Sequence, residues 1–197
     1  MKKIQISFLL SIFFISNINY AFSIEPDVFI QSTVNRASKV LSDNISKKQK
    51  IDELKLIAKD TVLIEKVAFY SLGSFRKTLT NEQNTRYLFL FEKYFLKSFS
   101  SRLSEWTNPN IDVNSKKIIN KNYTMVSSVL KGTNERPEVK IDWRVYTRIP
   151  ENPLIVDVII EGLSLARTQK EEFSSILNSN NGDINALFKT LENFAKN

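Results

Sequence analysis

The sequence Leu-Ile-Val-Asp-Val-Ile-Ile-Glu-Gly-Leu-Ser-Leu, from Leu154 to Leu165, decides the fold because it is the longest run dense in β-branched residues. Its even positions as far as Ile160 are all apolar, whereas its odd positions combine isoleucines with Asp157 and Glu161. This pattern predicts a strand buried on nearly both faces, with a large apolar cover over the even face. The cover could be the protein's own helices alone, or helices together with a bound apolar ligand.

The residues before this stretch indicate further strands joined by short turns. Apolar side chains alternate with charged ones from Val139 to Val145, which is typical of a strand with one buried face. Segment 123–130 is another strand candidate, and segment 111–120 is a weaker one. Because the turns between these segments are short, we expect an antiparallel meander.

Helical periodicity dominates both ends of the chain. Apolar residues recur three and four apart in six segments, at about 26–44, 51–58, 63–73, 81–105, 167–177 and 184–191. The longest begins with a capping-box pattern at Thr80 and Gln83, and its aromatic residues cover much of its circumference. An ordinary central core helix explains this excess, and so does an apolar cavity beside the helix.

The first residues have the layout of a secretory signal peptide. Lys2 and Lys3 precede an apolar run from Ile4 to Ile15, and the small residues Ala21 and Ser23 then occupy the positions three and one before a cleavage site after Ser23. The run is short of the ~20 residues that a membrane-spanning helix needs. We therefore expect residues 1–23 to be removed and residues 24–197 to form a single domain.

Cysteine and histidine are both absent from the 197 residues. This composition excludes disulfides, thiol chemistry, serine-histidine triads and histidine zinc sites. Removing Lys2 and Lys3 with the signal peptide lowers the formal charge from +7 to +5. A basic chain favours anionic partners such as lipid headgroups or acidic protein surfaces, although the same charge also aids solubility. We expect no metal and no cofactor.

Asp157 and Glu161 are the best candidates for a catalytic carboxylate pair. Four residues of strand separate them by about 13 Å, beyond the ~5 to 9.5 Å that hydrolytic pairs use. We expect them to be structural and to pair with Lys140 and Arg144 of the preceding strand. Gly162, placed inside the strand, predicts a bulge or a close approach of backbone or ligand.

Several of these pieces together resemble one family. They are Leu72-Gly73, the helix start from Thr80 to Gln83, the spacing of Phe91, Tyr94, Phe99 and Leu103, the Trp143-Arg144-Val145 strand, and the segment from Asp157 to Leu165. The most specific is Glu161-Gly162-x-Ser164 at the end of an apolar strand, before a helix containing Lys170 and Phe173. In order and spacing, nearly the whole mature chain resembles the MlaC family of periplasmic phospholipid-transport proteins, also described as toluene-tolerance proteins.

The resemblance implies an α+β fold with an internal apolar cavity. N-terminal helices and a long aromatic helix would pack on a twisted antiparallel sheet of about four strands, followed by C-terminal helices. It also implies a periplasmic, non-enzymatic phospholipid carrier that maintains outer-membrane lipid asymmetry. Its partners would be phospholipid, an outer-membrane lipoprotein–porin complex and an inner-membrane ABC transporter with a lipid-binding ring, but not nucleic acid.

We expect nine apolar side chains of the long helix and the sheet to line the cavity as a group. They are Phe91, Phe95, Phe99, Ile141, Trp143, Val145, Val156, Val158 and Ile160. In this interpretation Asp157 and Glu161 point away from the lipid. Two other classes stay open: a small enzyme on a similar scaffold, using Tyr94 or Asp157, and a ligand-free adaptor with a filled interior and an exposed apolar patch.

Overall fold

The computed structural model describes residues 22–106, 109–134 and 136–196, which form six α-helices, one 3-10 helix and a five-stranded antiparallel sheet. The helices are α1 Pro26–Ser42, α2 Lys47–Thr61, α3 Ile64–Leu72, the 3-10 helix Gly73–Lys77, α4 Asn81–Leu103, α5 Leu165–Ser179 and α6 Ile184–Lys196. The strands are β1 Ile111–Asn120, β2 Tyr123–Leu130, β3 Val139–Tyr146, β4 Leu154–Ile160 and β5 Leu163–Ser164. Apart from Phe22 and Ser23, the predicted signal peptide lies outside the described residues. Within the described ranges, no helix is both long and apolar enough to cross a membrane.

The sheet follows chain order, β1-β2-β3-β4-β5, with every neighbouring pair antiparallel. The α+β class and the meander are therefore confirmed, and the described sheet has five strands where about four were predicted. The additional strand, β5, contains only two residues, which is too short for an alternating pattern to reveal it.

The sequence predicted one strand from Leu154 to Leu165. The structure instead has β4, a turn, the short strand β5 and the first residue of α5 in this stretch. β4 ends at Ile160, and the backbone then turns through Glu161 at φ 48° and Gly162 at φ 83°. Gly162 lies in this turn and a Cβ atom on it would meet no protein atom beyond its chain neighbours within 4 Å, so the predicted bulge or close approach of backbone is wrong. The alternative of a close approach by a ligand stays a prediction. The turn itself requires the left-handed backbone that glycine adopts without strain.

The irregularity of β4 lies earlier, at Val156. Arg144 pairs with Asp157 and the next residue, Val145, pairs with Ile155, so Val156 has no partner in the register. Because cross-strand partners point to the same side of a sheet, Ile155 joins the face of Val145. The predicted strict alternation of β4 from Leu154 onwards is therefore wrong before Asp157.

Most of the buried apolar residues belong to one of two clusters. The helical core is formed by α3, α4, α5 and α6 and includes Tyr87, Phe91, Phe173 and Phe188. The sheet core lies where α1 covers the sheet, and consists of Ile30, Val34, Val126, Val145 and Ile155. The half-buried side chain of Val62, between α2 and α3, packs against both cores. The long helix α4 thus contributes Tyr87, Leu90 and Phe91 to the helical core, and α1 is the helix that packs into the sheet core.

Two helix starts are fixed by reciprocal side-chain caps. At the start of α4 the Gln83 amide donates to the Thr80 hydroxyl at 3.2 Å, and Gln83 Oε1 accepts from the Thr80 amide at 2.9 Å, as predicted. Ser46 and Gln49 make the same box at the start of α2. The helical segment predicted at about 51–58 therefore began four residues late.

The carboxylate of Asp157 connects three elements. Its side chain is only 2% exposed, and its oxygens accept hydrogen bonds from the Ser164 hydroxyl at 2.7 Å and the Ala166 amide at 3.0 Å. Arg144 Nη1 lies 3.6 Å from the same carboxylate. The Ser164 hydroxyl in turn accepts from the Arg167 amide at 3.1 Å and caps α5. One buried charge therefore holds β3, β4 and the start of α5 together.

The predicted ion pairing of the carboxylates is half right. The Arg144–Asp157 pair is confirmed, whereas the Lys140 ammonium lies 3.2 Å from Asp142, on its own strand. Glu161 instead accepts a hydrogen bond from the backbone amide of Lys140. This bond closes the β4–β5 turn back onto β3.

We predict that Asp157→Asn lowers the free energy of unfolding by about 2–4 kcal/mol, measured by urea denaturation. An amide at this position offers one oxygen where the carboxylate offers two, and it leaves Arg144 without its counter-charge. Asp60→Asn is the matched control, because Asp60 makes an exposed pair with Arg36 and its loss should cost less than about 1 kcal/mol. Equal destabilisation by the two variants would contradict the role of Asp157.

Candidate functional site

Five of the nine predicted site residues share one face of the sheet. The register places Ile141 opposite Ile160, Trp143 opposite Val158, and Val145 opposite Ile155. Opposite residues of antiparallel strands point to the same side, so these side chains form one apolar surface. The face predicted for Val158 and Ile160 is thus the face of Trp143, and Val156 lies at the irregularity beside it.

Exposure on this surface differs between the two strands. On β3, Val145 is fully buried in the core beneath α1 and Ile141 is buried as well, while Trp143 between them is half-buried. On β4, exposure rises from the buried Ile155 through the half-buried Val158 to Ile160, which is 37% exposed. The β4 side of the surface is therefore accessible near the β4–β5 turn, although its side chains are apolar.

A short hydrogen-bond chain orients Trp143 on this surface. The indole Nε1 donates to the Ser128 hydroxyl at 2.8 Å, and that hydroxyl donates to the carbonyl of Ile141 at 3.1 Å. Ser128 is fully buried, so its hydroxyl satisfies the indole where water is excluded. Ser128 was not predicted as a site residue. In the sequence, only its position between Val126 and Leu130 in the alternating pattern of β2 indicates that it lies on the apolar face.

The three predicted phenylalanines of α4 form a stacked row. The ring centroids of Phe91 and Phe95 lie 6.1 Å apart at an interplanar angle of 13°, and those of Phe95 and Phe99 lie 5.7 Å apart at 12°. Phe91 is buried and meets Phe173 edge-on at 6.1 Å. Phe95 and Phe99 are only half-buried, so the row leads from the helical core towards an accessible region.

The junction between α2 and α3 connects the helical half to the sheet. Val62 packs against both cores, and the Leu63 amide donates to the carbonyl of Ile155 at 2.9 Å. Val62 also forms an isolated parallel bridge with Ile155. Both connections lie on the β4 edge of the sheet, next to the surface described above.

The two side chains that a catalytic alternative would use make structural hydrogen bonds. The Tyr94 hydroxyl donates to Gln169 Oε1 at 2.8 Å, and burial raises the pKa of Tyr94 above its ordinary value. Asp157 has donors on both carboxylate oxygens. Among the described residues, no three His, Cys, Asp or Glu side chains are grouped so that they could hold a metal ion.

Two surface depressions, one along α5 and one along the start of α1, are lined mainly by polar and charged side chains. Neither contains any of the nine predicted residues. The internal cavity and its lining therefore stay predictions.

Comparison with known proteins places this geometry in a family. A family model described as MlaC protein matches residues 31–193. A solved structure of the phospholipid-binding protein from Ralstonia solanacearum in complex with a phospholipid is similar to this chain, with a TM-score of 0.72 and 17% sequence identity. The similarity covers 88% of this chain and 98% of that chain, and it shows a shared fold. The sequence matches no curated protein. The match over residues 31–193 is most of the chain, and the protein therefore belongs to the MlaC family.

Proposed function

We propose that this protein is a phospholipid carrier of the periplasm that binds acyl chains between its helical core and its sheet. Residues 1–23 would direct secretion and residues 24–197 would form the mature single domain. The carrier would move phospholipid between outer-membrane and inner-membrane complexes and so maintain the lipid asymmetry of the outer membrane.

The division of the interior into two apolar clusters carries this proposal. A domain of this size usually has one contiguous core, whereas here the helical and sheet clusters meet at Val62. Each cluster continues into half-buried apolar side chains, Phe95 and Phe99 on the helical side and Trp143 and Val158 on the sheet side. Aromatic and aliphatic surface of this kind suits the hydrocarbon part of a lipid.

Family membership and the bound ligand of the Ralstonia solanacearum protein support the same proposal. That protein shares the fold of this chain and is described in complex with a phospholipid. In the proposal, the nine predicted residues line the acyl-chain site together. Phe91 and Val145 would contribute from the buried ends of the two clusters, and the half-buried residues would make most of the contact.

The energetics favour a carrier that docks before it releases its cargo. Burying two chains of roughly sixteen carbons at ~0.8 kcal/mol per methylene amounts to about 25 kcal/mol, so escape into water is negligibly slow. Transfer of the phospholipid directly to an apolar site on another protein costs little free energy, because its acyl chains stay out of water. We therefore propose direct hand-over to an outer-membrane lipoprotein–porin complex and to an inner-membrane ABC transporter carrying a lipid-binding ring.

Binding fits the geometry better than catalysis does. Tyr94 and Asp157 have hydrogen-bond partners inside the fold, and neither is left free as a general acid or base. A ligand-free adaptor is the remaining alternative, and it differs from a carrier in one measurable property, the presence of bound lipid.

We predict that the protein purified from a bacterial periplasm carries stoichiometric phospholipid. Organic extraction followed by mass spectrometry measures the bound lipid, and an unrelated periplasmic protein purified in the same way gives the background. Lipid at the background level would contradict the proposal and favour the adaptor.

We predict that Val158→Glu loses its phospholipid while remaining folded. The introduced carboxylate would lie on the half-buried apolar face of the sheet. Bound acyl chains would displace water from this carboxylate, which is unfavourable by several kcal/mol. Leu56→Glu is the control, since Leu56 is 56% exposed on α2. Circular dichroism checks the fold of both variants, and a Val158→Glu protein with normal lipid content would show that this face does not meet the lipid.

A further inference from the structure

One end of the sheet brings two turns and the chain before α1 together. The Thr147 amide donates to the carbonyl of Asn122 at 2.8 Å, which holds the β3–β4 connection against the β1–β2 turn. The Ile24 amide donates to the carbonyl of Pro150 at 2.9 Å. We call this end the sheet tip; it comprises residues 24, 117–122 and 147–151.

Four isoleucines of the sheet tip are exposed to solvent. Ile118 is 75% exposed, Ile149 52%, Ile119 46% and Ile24 42%. Single exposed apolar residues are common, but four at one end of a small protein form a patch of the kind that marks an interaction surface. None of them belongs to the predicted lipid site.

Helix α1 covers the β1 edge only as far as the sheet tip. The Gln31 side chain accepts from the Val113 amide at 3.1 Å, and Lys116 Nζ lies 2.8 Å from Asp27 Oδ1 and pairs with Glu25. The helix begins at Pro26, so the strand residues beyond Lys116 extend past its start. Ile118, which lies on the same side of β1 as Lys116, is therefore uncovered because of where α1 begins.

The sheet tip also carries free positive charge. Lys117, Lys121 and Arg148 are exposed, and within the described ranges none of them has a carboxylate within 4.0 Å. Glu151 supplies one negative charge in the same segment, against three positive ones. Lys116 differs, because it pairs with the two carboxylates at the start of α1, and this group of three carries one net negative charge.

We propose that the sheet tip docks on the surface of an anionic lipid bilayer. The isoleucines would enter the boundary between headgroups and acyl chains, and the three free cations would face lipid phosphates. This contact goes beyond the proposed function, in which the carrier meets protein complexes, and it does not depend on a lipid being held inside the protein.

The composition of the sheet tip favours a lipid surface over a protein partner. Lysine is depleted in protein–protein interfaces, and lysines on an edge strand disfavour strand addition by another chain. A role in preventing strand addition at the edge would explain Lys117 and Lys121. It would not explain why Ile118 and Ile119, which lie between them, are exposed. A bilayer interface accommodates both kinds of side chain at once.

Flotation with lipid vesicles tests the proposal on the full mature protein. We expect binding to phosphatidylcholine vesicles that contain roughly 30 mol% phosphatidylglycerol, weak binding to phosphatidylcholine alone, and loss of binding as salt screens the charges. No binding to the anionic vesicles at low salt would overturn the proposal and leave the patch to a protein partner. Equal binding to both vesicle types would overturn the assigned role of the cations.

Paired variants separate the two contributions. Lys117→Gln with Lys121→Gln should weaken binding about 25-fold, at about fivefold for each basic residue near the surface. Ile118→Ser with Ile149→Ser should weaken it at least about tenfold. The exposed residues Leu56 and Lys77 provide matched controls as Leu56→Ser and Lys77→Gln, and equal losses in these controls would contradict the proposal.

The same proteins distinguish this proposal from the carrier function. Variants of the sheet tip should keep their extracted phospholipid, and Val158→Glu should keep its vesicle binding. Loss of vesicle binding in Val158→Glu would show that the vesicles exchange lipid with the interior site rather than meet the sheet tip.

Discussion

The buried carboxylate of Asp157 is the interaction on which the arrangement of sheet and helices depends. A charge removed from water is costly unless it is paired and hydrogen-bonded, and here Ser164, Ala166 and Arg144 satisfy it. These partners fix the β4–β5 turn and the first turn of α5 at the same time. Together with the Leu63 amide on the Ile155 carbonyl, they attach the helical half to the sheet along β4.

The two apolar clusters are distinct, although α1 packs on both the sheet and α2. α1 buries the sheet around Val145, while Phe91 is buried among helices α4 and α5. The side chains between these extremes, such as Trp143 and Phe99, are apolar and only half-buried. Exposed apolar surface is unfavourable in water, and the proposed acyl chains would cover it.

The fold was predictable where the signal was local. The capping box at Thr80 and Gln83 and the alternation from Val139 to Val145 specify their elements without any tertiary contact. The irregularity at Val156 was not predictable, because it exists only in the register of β4 against β3. The turn at Gly162 was not predicted, because the stretch from Leu154 to Leu165 is dense in β-branched residues and conceals where the backbone reverses.

The candidate site was predictable in its face but not in its extent. Alternation in β3 and β4 correctly brings Ile141, Trp143, Val158 and Ile160 together. Periodicity cannot tell which of these a helix covers, and α1 buries Val145 while Ile160 stays accessible. Ser128 escaped notice because a serine on an apolar face acquires its role only from the indole that it meets across the strands.

The central claim is that acyl chains lie against the sheet face that carries Trp143, and fluorescence quenching measures this directly. The chain has two tryptophans, so Trp106→Phe leaves Trp143 as the only reporter and Trp143→Phe leaves Trp106 as the control. Each protein is loaded with phospholipid whose acyl chains are brominated, and its emission is compared with that of the protein loaded with the unbrominated lipid. The account predicts strong quenching of Trp143, and the Trp143→Phe protein measures separately how much Trp106 is quenched. Loaded protein in which Trp143 emission is unchanged would contradict it.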